Sequence, residues 1–565
     1  MTSSLRLGSS GRLVRMWAAV RALLPAPEDY RGARRSWRSD LLAGLTVGIV
    51  ALPLALGFGV SSGVSAEAGL ITAIIAGVLA AVFGGSHVQI SGPTGAMVVV
   101  LLPIVASHGV GAVAAVSVLA GLIVLAAGAL RLGRAISFIP WPVIEGFTLG
   151  IAVIIFMQQI PMITSPHRPS AGEHSSNAVI AAVQSLASAD LGYLLWSLGA
   201  VVLVVAVMLL APRLHRALPG SLIGIIIVAV LAFAIPSPLA VIGELPRTLP
   251  LPSLPNLDAA TVGALIMPAV TVAALAAIES LLSARVAASM ADTGAYDPDR
   301  ELVGQGLASI GSGLFGGMPA TGAIARTAVN VRSGGRTRLA SAFHAVVLLV
   351  VVLAASGPVG RIPLAALAGV LMVTAARMIR TGTVRSILRS TRADAVGFVV
   401  TAVVTVSVDL IVAVVIGVLV AGFFAVRNLS RGTGVRREPL PGAADTGDER
   451  IAIIRFDGPL FFAAADRVFD TVTKLSGVEV VILRMSQLEL VDATGAHILS
   501  DIVQTLERRG VTVLIKGVQA GHEELFRSVG VLASLRHHKH LFTRLDDAVD
   551  HARSHIQRNA RARSA

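Results

Sequence analysis

The chain has no cysteine, so no disulfide and no thiolate metal ligand is open to it. Charge is scarce as well: 14% of the 565 residues are Asp, Glu, Lys or Arg, against about 25% in a soluble protein. Hydrophobic residues make up 54% and the mean hydropathy is +0.79. Together these exclude a mainly water-soluble protein and point to a polytopic α-helical membrane protein, with the lipid bilayer as its partner. Nearly all of the cations are arginine, and the formal charge is +13. The arginines sit in short loops between apolar runs, which is the pattern of membrane topology and not of a nucleic-acid partner. No small-residue cleavage site marks a removable signal; residues 1–38 read as a basic cytoplasmic segment. Within it, Leu13 to Leu24 is either an amphipathic helix lying on the membrane or a disordered tail.

Apolar runs long enough to span a bilayer mark residues 39–427 as a transmembrane domain. They lie near 41–60, 67–84, 93–107, 111–130, 142–160, 191–211 and 219–236. A second set lies near 262–284, 301–315, 320–331, 338–356, 363–379, 394–409 and 410–427. The third member of each set is short and follows a Gly-rich break. Phe83 to Met97 reads FGGSHVQISGPTGAM, and Phe315 to Asn330 reads FGGMPATGAIARTAVN. Both open on Phe-Gly-Gly and reach Pro, Thr, Gly and Ala within a few residues. Matched interruptions in two hydrophobic halves are the best sequence pointer to a transporter's binding site. Fourteen spans in a seven-plus-seven arrangement must invert the second half, which sets the two short helices N-terminus to N-terminus. Such termini offer free N–H groups and partial positive charge, and so favour an anion. Thr94, Gly95, Ala96 and Met97 in the first copy, with Thr321, Gly322, Ala323 and Ile324 in the second, are the candidate anion-binding residues.

The charge bias gives orientation. Eight arginines precede the first span, Arg131 and Arg134 follow the fourth, and Arg213 and Arg216 the sixth. Arg332, Arg336 and Arg338 follow the tenth span. Arg377, Arg380, Arg385, Arg389 and Arg392 lie between the twelfth and thirteenth, and Arg427, Arg431, Arg436 and Arg437 follow the last. All fall on one side, which is therefore cytoplasmic, with both chain termini. Loops 161–190 and 237–260, rich in Pro and Ser, fall on the other. Residues 428–450 read as a polar linker, 451–555 as a small α/β domain and 556–565 as a disordered tail. In the α/β domain, 451–456, 478–485 and 511–517 read as strands, and Thr494 to Arg509 as an amphipathic helix.

These features together, with ALPLALGFG at 51–59 and the C-terminal domain, resemble the SulP (sulfate permease) anion transporters. The tail resembles a STAS domain, the module shared with anti-sigma-factor antagonists. The resemblance covers about residues 35 to 555. It implies an inverted-repeat core moving against a gate, a substrate site between the third and tenth helices, and a homodimer; a plasma-membrane location and no cofactor are expected, and with no nucleophile–base pair or metal cluster in the sequence no enzymatic activity is expected. Arg326 lies seven residues after Pro319, so it faces the same side of the short helix two turns in, and a buried arginine must line a wet path or pair with a carboxylate, a structural lock to Glu279 being the alternative. The resemblance gives it the role of holding the anion. Glu279, inside the eighth span, is an ionisable group at a depth where such groups are functional by default. A glutamate there resembles the proton-coupled branch, whereas aspartate goes with Na⁺; Na⁺ remains the alternative coupling ion. Phe58 stands where relatives often carry tyrosine, and either walls the site or simply packs. Glu145, Gln158 and Gln159 read as helix-packing groups. In VDATG at 491–495, Thr494 occupies the place of a phosphorylatable hydroxyl, with helix capping as its favoured role.

The expected function is thus proton-coupled symport, by alternating access, of a small anion: sulfate, bicarbonate, another inorganic anion or a small dicarboxylate. A nucleobase symporter on the same core is one alternative; it calls for more hydrogen-bonding side chains around the short helices. A membrane-tethered STAS regulator is the other; it leaves Glu279 and the paired breaks unexplained. No metal site is expected: His537, His538 and His540 read as a solvated tract.

Overall fold

The computed structural model describes residues 21–564 except 22, 31, 135–138, 167–176, 216–217, 246, 291–293, 295, 409 and 433. The stretch Leu13 to Leu24 falls largely outside the described residues. The chain forms two compact units that divide between Val418 and Leu419.

The first unit is helical. Its apolar runs form α1 (Ala33–Ser61), α2 (Ala66–Phe83), α3 (Gly95–His108), α4 (Ala112–Ala129), α5 (Trp141–Gln158), α6 (Leu191–Leu214) and α7 (Gly220–Ala234). The second half gives α8 (Ala259–Met290), α9 (Pro298–Leu314), α10 (Ile324–Arg332), α11 (Arg338–Gly360), α12 (Leu364–Met378), α13 (Arg392–Ser407) and α14 (Leu410–Gly432), the last running across the division. These match the fourteen expected spans one for one. Among the described residues, nine helices are long and apolar enough by themselves to cross a membrane. Short helices Ile160–Thr164, Ala178–Ala187 and Thr381–Leu388 occupy stretches read as loops. Polar side chains stop the helices fraying: Ser65 accepts from the Ala68 N–H to cap α2, and Asp297 accepts from Asp299 and Arg300 to cap α9.

Small residues set the spacing between helices. A Cβ on Gly69 of α2 would lie 2.0 Å from the Ala55 carbonyl oxygen of α1. Helices in lipid gain little from apolar contact alone, so such backbone approach supplies their packing. The same device brings α9 to the first break, where a Cβ on Gly304 would lie 2.4 Å from the Gly84 nitrogen.

The two breaks meet. β1 (Ser91–Gly92) pairs antiparallel with β2 (Thr321–Gly322), Ser91 opposite Gly322 and Gly92 opposite Thr321. Antiparallel strands run in opposite directions, so α3 and α10, which follow them directly, leave the crossing point on opposite courses. That relation makes the seven-plus-seven repeat an inverted one. The second short helix starts at Ile324, not near 320, because Pro319 to Ala323 are spent on the approach and the strand.

The second unit is α/β. A five-stranded sheet runs β3 (Gly434–Glu438), β4 (Ile451–Leu460), β5 (Val480–Val491), β6 (Thr512–Lys516) and β7 (Leu541–Phe542), in that spatial order. β3 is antiparallel to β4 and the rest are parallel. α15 (Ala465–Thr473), α16 (Ala493–Arg508) and α17 (Ala520–Ser528) cover one face, through Val468, Leu499, Ile502 and Phe526. α18 (Leu545–Ser564) covers the other, through Ala548, Val549, Ala552 and Ile556. Two expectations are corrected here. Part of the stretch read as linker is strand β3, whose Glu438 is held by Arg455 and Arg484 on β4 and β5. The stretch read as a disordered tail is the end of α18, where Ile556 is buried and Asn559 donates to Glu479.

Candidate functional site

Thr94, Thr321 and Glu279 come together where β1 meets β2. Thr94, the residue before α3, and Thr321 on β2 are both buried, and their Oγ1 atoms lie 3.0 Å apart. Both reach one carboxylate oxygen of Glu279 on α8: Thr94 Oγ1 at 2.8 Å and Thr321 Oγ1 at 2.9 Å from Oε2. Three oxygens thus form a triangle of hydrogen-bonding contacts joining both halves of the repeat to the eighth helix. Glu279 keeps part of its surface open, as do Ile324 and Ala325 at the start of α10.

Neither short helix is capped by a side chain, neither by Thr94 before α3 nor by Ala323 before α10. The first-turn N–H groups have no acceptor within their helices. In α3 these belong to Gly95, Ala96 and Met97, whose side positions are buried, so only their backbone bears on the break. A Cβ on Gly95 would fall 2.2 Å from Ile155 Cδ1 and 3.4 Å from the Phe58 ring. Phe58 is buried and packs against this turn.

The second copy differs from expectation. The Gly322 N–H donates to Ser280 Oγ and the Ala323 N–H to the Ile90 carbonyl, so these two groups are engaged by the fold. The first helical N–H groups of α10 are those of Ile324 and Ala325. Arg326 also differs: it lies in the first turn of α10, not two turns in. It is buried to 1% exposure. Its guanidinium donates to the Pro93 carbonyl across the break, and Nη1, stacked over Gly92 where a Cβ would lie 2.9 Å away, has no partner. The alternative of a lock to Glu279 is not what the geometry gives.

The sequence reading passed over Glu301. This acid in α9 is 1% exposed and accepts from the Gly85 and Ser86 N–H groups and from the side-chain amides of Gln89 and Gln305. Gln305 also bonds Ser91 Oγ at 2.6 Å. Thr327 of α10 accepts from the Ile90 N–H, and Asn330 donates to the Val88 carbonyl. The extended stretch 85–92, whose backbone has no helix of its own, is thereby satisfied by α9 and α10. The available signal was the Glu301–Gln305 spacing, which puts an acid and an amide on one helix face. Of the groups read as packing, Gln159 accepts from Ser61 across helices and Glu145 pairs with Arg380 at 2.6 Å, whereas the buried Gln158 Oε1 has no partner. In the second unit Asp492, not Thr494, caps α16 by accepting from the Gly495 N–H, which leaves Thr494 exposed.

An inverted repeat crossing at two uncapped half-helices, with an acid and an arginine at the crossing, defines a membrane transporter and not an enzyme. Residues 37–404 match the sulfate permease family and residues 443–548 the STAS domain. The chain belongs to the sulfate permease family. It is 34% identical to the putative sulfate transporter YvdB of Bacillus subtilis, over 91% of this chain and 97% of that one. It is 31% identical to the bicarbonate transporter BicA of Synechocystis, over 86% and 88%. Its fold matches SLC26A9 with a TM-score of 0.80 at 19% identity, covering 98% of this chain and 96% of that one.

Proposed function

We propose that this chain carries a small oxyanion, sulfate or bicarbonate, together with a proton, by alternating access. The triangle of Thr94, Thr321 and Glu279 oxygens carries this reading. Two threonine hydroxyls have two protons to share among three contacts. A proton on the Glu279 carboxyl fills the third contact and closes a cyclic chain of donors. The geometry thus suits an acid that is sometimes protonated. The anion would sit against the first-turn N–H groups of α3 and α10, with the Arg326 charge behind them. Its arrival cancels positive charge, which favours loading the proton at the same time. The relatives named for sulfate and bicarbonate support this class of substrate. The arginine bias supports a plasma-membrane protein with both termini cytoplasmic. The family likeness favours a homodimer, and Na⁺ is the alternative coupling ion. The test is uptake of labelled sulfate, bicarbonate, chloride and a small dicarboxylate into proteoliposomes, at equal and unequal pH, with and without Na⁺. Uptake of an oxyanion driven by an inward proton gradient is expected; uptake that needs Na⁺ and ignores pH overturns the proton assignment.

A further inference from the structure

The histidine tract read as solvated is only partly so. His540, just before β7 at the sheet edge, is 4% exposed. α18 folds back over that edge, and its His551 and His555, one turn apart, share a face. One ligand atom from each of the three rings lies within 4.8 Å of the others. We propose that His540, His551 and His555 form a binding site for a divalent cation that prefers nitrogen ligands, Zn²⁺ above all.

The distances need little adjustment. His551 Nε2 and His555 Nε2 are 3.3 Å apart; two imidazole nitrogens on one tetrahedral zinc stand about 3.3 Å apart, given Zn–N distances of about 2.0–2.1 Å. His540 is oriented as metal-bound histidines usually are: its ring bonds the Val513 backbone, while its buried Nδ1 has no partner. Arg558, one turn beyond, is held on Ser554, and its charge, with that of Arg536, faces the cluster. Three histidines leave a fourth position for water or a partner's ligand. A bound ion would clamp α18 to the edge strand of the sheet.

The experiment uses the untagged full-length protein in detergent, stripped with a chelator and titrated with Co²⁺, followed by Zn²⁺ competition. Expected are the visible spectrum of tetrahedral Co²⁺ at stoichiometric uptake, its displacement by Zn²⁺, and a Zn²⁺-dependent rise in the STAS unfolding temperature. His551→Asn and His555→Asn should lose all three while unfolding like the metal-free wild type; His497→Asn, at an exposed histidine on α16, should keep them. No tetrahedral spectrum in the wild type, or an unchanged one in His551→Asn, overturns the proposal. If the two variants unfold before metal is added, hydrogen exchange of α18 in the wild type decides: protection unchanged by Zn²⁺ also overturns it.

Discussion

Thr94 and Thr321 stand 227 positions apart in the chain, and their hydroxyl oxygens stand 3.0 Å apart in the fold. Each belongs to one half of the inverted repeat, and Glu279 bridges both. A movement of one half relative to the other at this point must therefore break or remake the Thr94 contacts of this triangle. That gives one place where substrate, proton and conformation can be linked, and it sets the predictions below.

Glu279→Gln imitates the protonated acid. It should still bind the anion but lose its response to a pH gradient. Proteoliposome uptake at clamped internal and external pH measures this. A variant as gradient-driven as the wild type removes Glu279 from coupling.

Arg326→Ala should weaken anion binding by about 2–5 kcal/mol, the usual cost of removing one partner from a buried charge pair. Arg326→Lys should recover part of that, since it keeps the charge but not the planar fork that reaches the Pro93 carbonyl. Binding isotherms on folded protein decide. Equal affinity in all three proteins means that Arg326 only fastens the two halves together.

Gly95→Ala should abolish transport while the protein still inserts, because the new methyl meets Ile155 Cδ1. Trimming the neighbour should relieve it, so the Gly95→Ala, Ile155→Ala pair is expected to transport better than Gly95→Ala alone. Failure of the second change to help in the uptake assay would mean that the clash is not the cause.

Glu301→Gln should lower stability by about 2–4 kcal/mol, because an amide nitrogen turns toward buried N–H donors that now lack an acceptor. The drop should appear in thermal unfolding of the detergent-solubilised protein. Substrate preference is expected to be unchanged, as Glu301 holds the 85–92 stretch and does not face the triangle.

In the STAS unit, burial alone would raise the Glu438 pKa, but the hydrogen bonds and charges of Arg484 and Arg455 outweigh it and hold it below the ordinary 4.5. A depressed carboxyl stabilises the fold above its unfolded pKa, and that contribution fades as the pH falls through the folded value. Hydrogen exchange in β3 to β5, corrected for intrinsic rate, should therefore speed up below about pH 4.5. Glu438→Gln should exchange faster at neutral pH and lose this acid-dependent step. An identical acid profile in both proteins would show that the Arg–Glu cluster contributes nothing.

Much of this molecule is determined by its sequence alone, because the signals are local. Hydropathy over a span's length marks each membrane helix, and the Phe-Gly-Gly openings of the two breaks stand out against the apolar runs around them. An acid at 279 is conspicuous because so few charges share its surroundings. What the sequence cannot supply is which distant segments meet. Arg326 looks like a residue two turns along a helix until β2 takes up Thr321 and Gly322 and moves the helix start to Ile324. The N–H groups of Gly322 and Ala323 look free until Ser280 and Ile90 are brought to them. Glu301 looks like the polar edge of a span until the first break closes over it, and His540 looks solvated until α18 returns across the sheet. Each of these depends on segments separate in the sequence being brought together, and around the breaks their polar groups must satisfy one another in a space without water. That condition is met only once the whole fold has formed.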